Sequence, residues 1–437
     1  MNHDNASLCV LHTDSSRHID QQLTKISAST LNAFISTCAP TAVLQAHHCD
    51  IVAKAGGRLG LLHGKSVGIK DLFDVAGMPT TMGSEQYKDY MATEDAAVVT
   101  ALRSAGAIIL GKTNTHEFAY GSSGDRSWFG AVKNPHDTTR MSGGSSSGSC
   151  AAVAAGLCDM ALGTDTSASV RLPAALCGVV GLKPTYDLLP RHGVFNLSTS
   201  LDHVGTITHT VADNALMLEA MTHAPGRYSI KLDHSVQGMR IGTIKRFYGE
   251  YISAAVRRAF EQALQTLENL GAAIVEIDIP DIMDIYTHQQ LVLKAEAFAQ
   301  HQQALRRGLP FCDEVRNRLM TGREVTAAHY LAAKQQQHQA TASFDRALTA
   351  ADVLLTPTCG IVAPPINERT TDINGEAHST FWLLTRLTAP TNFSGHPSLS
   401  VPFSAASPLP IGMQLIGKLH DEATLFQVAK ALEQSAT

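Results

Sequence analysis

The chain of 437 residues, 44% of them hydrophobic, is long enough for one large domain or for two or three ordinary ones. Its net charge of −5 and the lack of a basic block argue against nucleic acid as a main partner, and no uninterrupted run of about 18 apolar residues offers a membrane span. Eight cysteines without CxxC pairs, in a chain too large to need staples, read as reduced thiols in a cytoplasm.

The polar start, "MNHDNASLCVLHTDSS", lacks a basic patch followed by an apolar core, so no signal peptide is expected. Residues 1–60 are expected to form a helical segment packed on the core. Within it, His47-His48-Cys49-Asp50 invites a metal reading. Consecutive helical residues point about 100° apart, however, and cannot converge on one ion, so no metal site is expected. Val67–Ile69 is a short apolar run that predicts a core strand, with Lys70 directly after it. In "AAVVTALRSAGAIILGKTN", Val98, Leu102 and Ala105 share one helical face, Gly106 ends the helix, and Ala107–Leu110 continues as an apolar strand. "AAVRRAFEQALQTLENLGAAIVEIDIP" repeats the design, with Gly271 between a predicted helix and the run Ala272–Ile279. Helix, glycine, apolar strand is the grammar of an α/β protein whose sheet is buried on both faces. Residues 284–350, rich in Gln, His and Ala, predict a helical layer or lid with little strand. Val353–Leu355 and Met413–Ile416 predict further core strands. No low-complexity linker interrupts the chain, so one compact catalytic domain is expected over residues 61–437.

Two serine-dense stretches carry the candidate chemistry: "MSGGSSSGSC" (141–150) and "GTDTSASVRLPAALCG" (163–178). Gly144-Ser145-Ser146-Ser147-Gly148 formally matches the nucleophile elbow G-x-S-x-G, but "KNPHDTTRMSGG" before it reads as turn rather than as the strand that elbow needs. A phosphate loop is equally weak, since the Lys-[Ser/Thr] ending is missing. The next stretch, "SCAAVAAGLCDMALGTD", reads as an alanine-rich helix, a turn and an apolar run. The Gly/Ser loop then sits at a helix N-terminus, where free N–H groups suit negative charge. A serine hydroxyl needs a base, and none of the 20 histidines lies in either run. Lys70 is the alternative: carried into the interior by its strand, its ammonium loses hydration, and a neutral amine can take a proton near pH 7.

The blocks "GIKDLFDVAGMPTTMGS", "GKTNTHEFAYG", "MSGGSSSGSCAAVAAG", "GTDTSASVRLPAALCGVVGLKPT", "SLDHVGTITHTVAD", "ADVLLTPTCGIVAPPI" and "FSGHPSLSVPFS…PIGMQLIG" occur in one order from about residue 30 to the C-terminus. In this the chain resembles the amidase signature family. The resemblance implies a single α/β domain with a central mixed sheet covered by helices on both faces, and hydrolysis of a linear amide, carbamate or urea-like C–N bond. It implies a relay in which Lys70 draws a proton from Ser145 and Ser145 from the nucleophile Ser169, with an oxyanion hole from the backbone N–H groups of Thr166, Ser167, Ala168 and Ser169. No metal or organic cofactor is implied.

Around that set, Ser146 either hydrogen-bonds within the site or solvates the helix N-terminus. Asp165 and Arg171 are expected to anchor the loop as an ion pair, and Asp202 to anchor a loop or touch substrate. Tyr120, Trp128 and Phe195 are candidates to line the pocket. Cys150 and Cys177 read as packing residues. Two departures stand out: Ser167-Ala168 where the family commonly has Gly-Gly, and "GGSSSGS" for "GGSSGGS". Backbone donors survive the first only if neither residue needs a positive φ, and the added Cβ atoms would narrow the acyl pocket. The alternatives are a glutamine-hydrolysing amidase subunit of a tRNA-dependent amidotransferase, a biuret-type hydrolase of nitrogen scavenging, and a catalytically silent scaffold, the last opposed by intact Lys70, Ser145 and Ser169. The expected partner is a small molecule, not nucleic acid or membrane; analogy adds a homodimer and leaves room for a small accessory subunit.

Overall fold

A computed structural model describes residues 14–403 and 407–435; the stretch 1–13, most of the segment read above for a signal peptide, lies outside them. Helix Ala97–Ser104 gives way to Gly106 at φ +87°, a backbone conformation that costs glycine nothing, and the chain reverses into strand Ile108–Thr113, which is buried throughout. Helix Ala254–Asn269, capped by the Ser253 hydroxyl on the Val256 N–H, ends the same way at Gly271 (φ +91°). Its strand, Ala273–Glu276, differs from the expectation of two-sided burial. It is the edge of the sheet, paired only to Arg240–Thr243, and its residues are exposed or half-buried.

Eleven strands form one mixed sheet. From edge to edge they are Phe34–Thr37, Ile108–Thr113, Ser66–Lys70, Met160–Asp165, His203–Thr208, Val180–Lys183, Ser398–Pro402, Gly412–Ile416, Val353–Pro357, Arg240–Thr243 and Ala273–Glu276. Strand Ser66–Lys70 lies parallel to Met160–Asp165, with Val67 opposite Met160 and Ile69 opposite Leu162. That register brings the C-terminal ends of both strands, Lys70 and Thr164-Asp165, to the same side. Clefts beyond the carboxyl ends of parallel strands are where α/β sheets place their sites.

Residues 133–141, read as a turn, instead form a two-stranded ribbon, Lys133–Asn134 against Asp137–Met141. The Asn134 amide, bridging the Met141 and Leu176 carbonyls, stabilises it. Residues 14–60 contain helix Ser15–Ala28, edge strand Phe34–Thr37 and helix Ala39–Lys54. Asp50 accepts from the Ser15 and Ser16 N–H groups and caps the first helix, while His47 meets the Ser16 hydroxyl at 3.0 Å. Residues 282–350 are built from helices Ile282–Arg306, Asp313–Met320 and Ala327–Ala350, joined at Thr321–Glu324 by a short 3-10 turn. Among the described residues no helix is long and apolar enough to cross a membrane.

Candidate active site

Lys70 ends its strand fully buried. Its Nζ lies 2.7 Å from the Ser145 hydroxyl, 3.0 Å from that of Ser146 and 2.8 Å from that of Thr164. Burial drives the ammonium down to about 7, against the Asp165 and Asp202 carboxylates, which pull it up. Near pH 7 a large share of Lys70 is therefore a neutral amine held on three hydroxyls, able to accept a proton from one of them.

The peptide bond Gly144–Ser145 is cis, and the Ser145 carbonyl accepts from the Thr115 hydroxyl (2.9 Å) and the His116 N–H (3.2 Å). A Cβ on Gly144 would stand 2.9 Å from the Gly124 nitrogen, so this turn closes only on glycine. Ser146 sits at the start of helix Ser147–Ala154, but its hydroxyl makes no cap bond; it accepts from Lys70 and donates to the Thr164 carbonyl (3.3 Å). Gly163 leaves it room, since a Cβ there would come within 2.7 Å of that oxygen. Among the described residues no histidine ring hydrogen-bonds either Ser145 or Ser169; the ring of nearby His116 is buried with neither nitrogen paired, and burial pulls it down to about 3.

Ser169 lies on the loop between strand Met160–Asp165 and helix Arg171–Cys177, slightly exposed, and its carbonyl accepts from the Ser146 N–H at 3.1 Å. This bond sets the two serine stretches side by side. The backbone N–H groups of Thr166, Ser167, Ala168 and Ser169 donate to no other group among the described residues, although the loop is nearly buried. Four consecutive buried donors without a partner are rare in a folded chain and suit an incoming oxyanion. Neither Ser167 nor Ala168 has a positive φ, so the loss of Gly-Gly does not strain the loop. The Ala168 methyl packs in an apolar cluster with Leu172, Ala175 and Leu383, and the Ser167 hydroxyl has no partner.

Asp165 and Arg171 form a fully buried two-point pair, Nη2–Oδ1 at 2.8 Å and Nε–Oδ2 at 3.0 Å, and Asp165 Oδ2 also accepts from the Val170 and Arg171 N–H groups. Burial would raise this carboxyl, but Arg171 holds it well below the usual carboxylate range. Arg171 reaches on to Thr391 Oγ1 (2.7 Å), Gln414 Oε1 (2.7 Å) and Asn392 Oδ1 (2.6 Å). Asp202 accepts from the Thr166 hydroxyl at 2.6 Å and from the Leu197 and Ser198 N–H groups; burial still lifts it to about 6.

The aromatic candidates separate. Tyr120 is buried with Arg318 against its ring, and burial pushes its phenol up to about 12. Phe195 packs among Phe118, Tyr87 and His301. Trp128 is 49% exposed and lines a cleft of about 230 Å³ with Glu85, Arg126 and Phe311. Cys150 and Cys177 are fully buried. Three polar groups escaped the sequence reading: Thr164 on Lys70, Gln289 with Nε2 3.2 Å from the Thr166 carbonyl, and Asn392 beside Asp165 and Arg171. Only Thr164 carried a signal, since a strand pairing parallel to Ser66–Lys70 must bring it there.

Comparison with known proteins shows a hydrolase of carbon–nitrogen bonds other than peptide bonds. The chain belongs to the amidase family: the family model described as "Amidase" matches residues 19–426. It is 38% identical to a glutamyl-tRNA(Gln) amidotransferase subunit of Thermosynechococcus vestitus, over 93% of this chain and 91% of that one. Among solved structures it is similar, at 31% identity and a TM-score of 0.91, to one described as a vestigial protein complex that reveals the evolutionary origins of an s-triazine catabolic enzyme; 97% of this chain and 95% of that one are covered. It is also similar to the corresponding glutamyl-tRNA(Gln) amidotransferase subunit of Thermotoga maritima, at 34% identity and a TM-score of 0.79, with 96% and 91% covered.

Proposed function

We propose that the chain hydrolyses the linear C–N bond of a small amide, carbamate or urea-like substrate through an acyl-enzyme on Ser169. The single observation that carries this reading is the buried Lys70 amine 2.7 Å from Ser145, beside a loop of four unpaired N–H groups. Neutral Lys70 takes the Ser145 proton as Ser145 takes that of Ser169, and Ser169 Oγ adds to the carbonyl carbon. The oxyanion meets the N–H groups of Thr166 to Ser169, each such donor contributing about 3–4 kcal/mol. The proton returns through Ser145 to the leaving nitrogen, the C–N bond breaks, and water cleaves the acyl-enzyme by the same relay. Asp165, Arg171 and Asp202 hold the loop, and the helices of residues 284–350 cover the substrate side.

The greater likeness in backbone to the s-triazine-related structure than to the Thermotoga protein (TM-scores 0.91 and 0.79) favours a catabolic amidase over an amidotransferase subunit, and within that reading we propose a small urea-like substrate such as a biuret-type compound. The description of that structure as a complex supports a small accessory subunit, whereas a homodimer rests on analogy. The second reading, glutamine hydrolysis for an amidotransferase, is favoured by the 38% identity over nearly the whole Thermosynechococcus protein. The seven cysteines among the described residues are all free, which supports a cytoplasmic setting.

The test is intact-mass and peptide mapping after exposure to a fluorophosphonate, beside ammonia release from amides, carbamates, ureas, biuret and glutamine. Adduct on Ser169, lost in Lys70→Ala and Ser145→Ala, is expected. An unlabelled protein without turnover would sink the reading, and glutamine turnover alone would select the second one. The pH dependence is a further expected result. Only neutral Lys70 can act as base, so kcat/KM should fall about tenfold per unit as pH drops below about 7 and level off above it. Asp202→Asn removes a carboxylate that raises Lys70, so the limb should move to lower pH. A profile flat from pH 5 to 9 would contradict Lys70 as the base.

A further inference from the structure

The loop from Asp165 to Ser169 is held from the side opposite its free N–H groups. In a trans peptide the C=O of one residue and the N–H of the next share a rigid plane and point in opposite directions. Fixing a carbonyl therefore aims the N–H that follows it. Each of the four carbonyls paired in this way with a free donor is bound. The Asp165 carbonyl accepts from Asn392 Nδ2 at 2.8 Å, which aims the Thr166 N–H. That of Thr166 accepts from Gln289 Nε2 at 3.2 Å, which aims Ser167. The Ser167 carbonyl accepts from Arg171 Nη2 at 3.4 Å, and that of Ala168 from the Leu172 N–H at 2.8 Å.

Gln289 differs from Arg171 and Leu172, which stand on the helix directly after the loop. It stands on helix Ile282–Arg306, far along the chain, fully buried, with its Oε1 accepting from Gln290 Nε2 at 2.7 Å. Its site of action, Thr166, is gripped a second time through its side chain by Asp202. That Asp202 loop is in turn tied to the same helical layer, because Glu296 accepts from the Ser198 hydroxyl at 2.6 Å and the Ser200 N–H at 3.0 Å.

We infer that Gln289 is a positioning residue of the anion hole: by holding the Thr166 carbonyl it directs the Ser167 N–H toward the developing oxyanion. Through Gln289 the helical layer thus acts on the reaction by way of a peptide plane. This inference rests on the proposed role of the 166–169 loop. A donor turned away from the oxyanion is lost to the transition state while the ground-state pocket keeps its shape.

The test compares the intact chain with Gln289→Met and Gln289→Glu in the rate of Ser169 phosphonylation by a fluorophosphonate, whose tetrahedral centre needs the same donors. For Gln289→Met a fall in kinact of about 10–100-fold is expected, with KI within about twofold and Tm little changed. Gln289→Glu keeps the shape and serves should the Met variant not fold. Its carboxylate repels the carbonyl, whereas its protonated form can donate, so its rate relative to wild type should recover as pH is lowered. Unchanged kinact, or a loss shared between KI and Tm with no pH-dependent recovery in the Glu variant, overturns the inference. Ser169→Ala, run alongside, separates the two levels: if it still takes label at the wild-type rate, the nucleophile assignment falls instead.

Discussion

Ser169→Ala, Ser145→Ala and Lys70→Ala are each expected to lower amide turnover by about 10⁴-fold or more, and combining them should cost little beyond the worst single change. The reason is geometric. Lys70 has no exposed area and meets three hydroxyls, so the proton it takes is expected to come from one of them. Ser145, at 2.7 Å, has the shortest of the three contacts and directly precedes Ser146, whose N–H holds the Ser169 carbonyl. Lys70→Arg should be equally inert, because a guanidinium stays charged at every working pH and cannot accept the proton. Single-turnover hydrolysis, with the acyl adduct followed by mass, checks this. Full activity in Lys70→Arg would remove the lysine from the mechanism, and multiplicative losses in the double variant would show that the groups do not act as one relay.

The largest effect on stability is expected at Arg171. Its guanidinium pairs at two points with a fully buried Asp165 and reaches Thr391, Asn392 and Gln414, so Arg171→Met leaves a carboxylate without compensation in the interior. A cost of about 3–5 kcal/mol is expected from denaturant unfolding, with Ser169 labelling lost in step as the loop loses its anchor. Asp165→Asn combined with Arg171→Met should recover part of the stability, since the stranded charge is gone, but not the labelling. The pH sense follows from the carboxyl being held below its ordinary range. In the wild type the pair's contribution is complete above the unfolded pKa of an aspartate and is lost as pH falls through the lowered folded value. Wild-type stability in Arg171→Met would reduce the pair to a bystander.

The placement of Lys70 and of the Gly/Ser turn could be read from the chain because their signals are local, whereas the choice of Ser145 and Ser169 among the serines rests on the family resemblance. An apolar run followed by a lysine placed Lys70 at a strand end, and the Gly/Ser run before an alanine-rich helix placed Ser145 and Ser146 at a turn. The helix–glycine–strand units were legible for the same reason, up to the point where burial depends on neighbours: Ala273–Glu276 has an apolar pattern like that of Ile108–Thr113 but ends up at the sheet edge. Short strands such as Phe34–Thr37, Val180–Lys183 and Ser398–Pro402 carry too few residues for a period to show, and tertiary pairing decides them. Gln289 and Asn392 were beyond reach altogether. A glutamine in a Gln-rich helix and an asparagine in a short C-terminal one look like surface residues until the fold sets them against carbonyls more than a hundred positions away.

That separation bears on how the protein comes into being. The peptide planes at residues 165 and 166 are gripped by residues 392 and 289, so a ribosome must deliver most of the polypeptide before the loop can take its working shape. A product that stops short of residue 392 would contain Lys70, Ser145 and Ser169 and yet hold no finished anion hole. On the proposed role of the loop, a chain that ends before residue 392 is expected to be inactive although all three of these side chains are present.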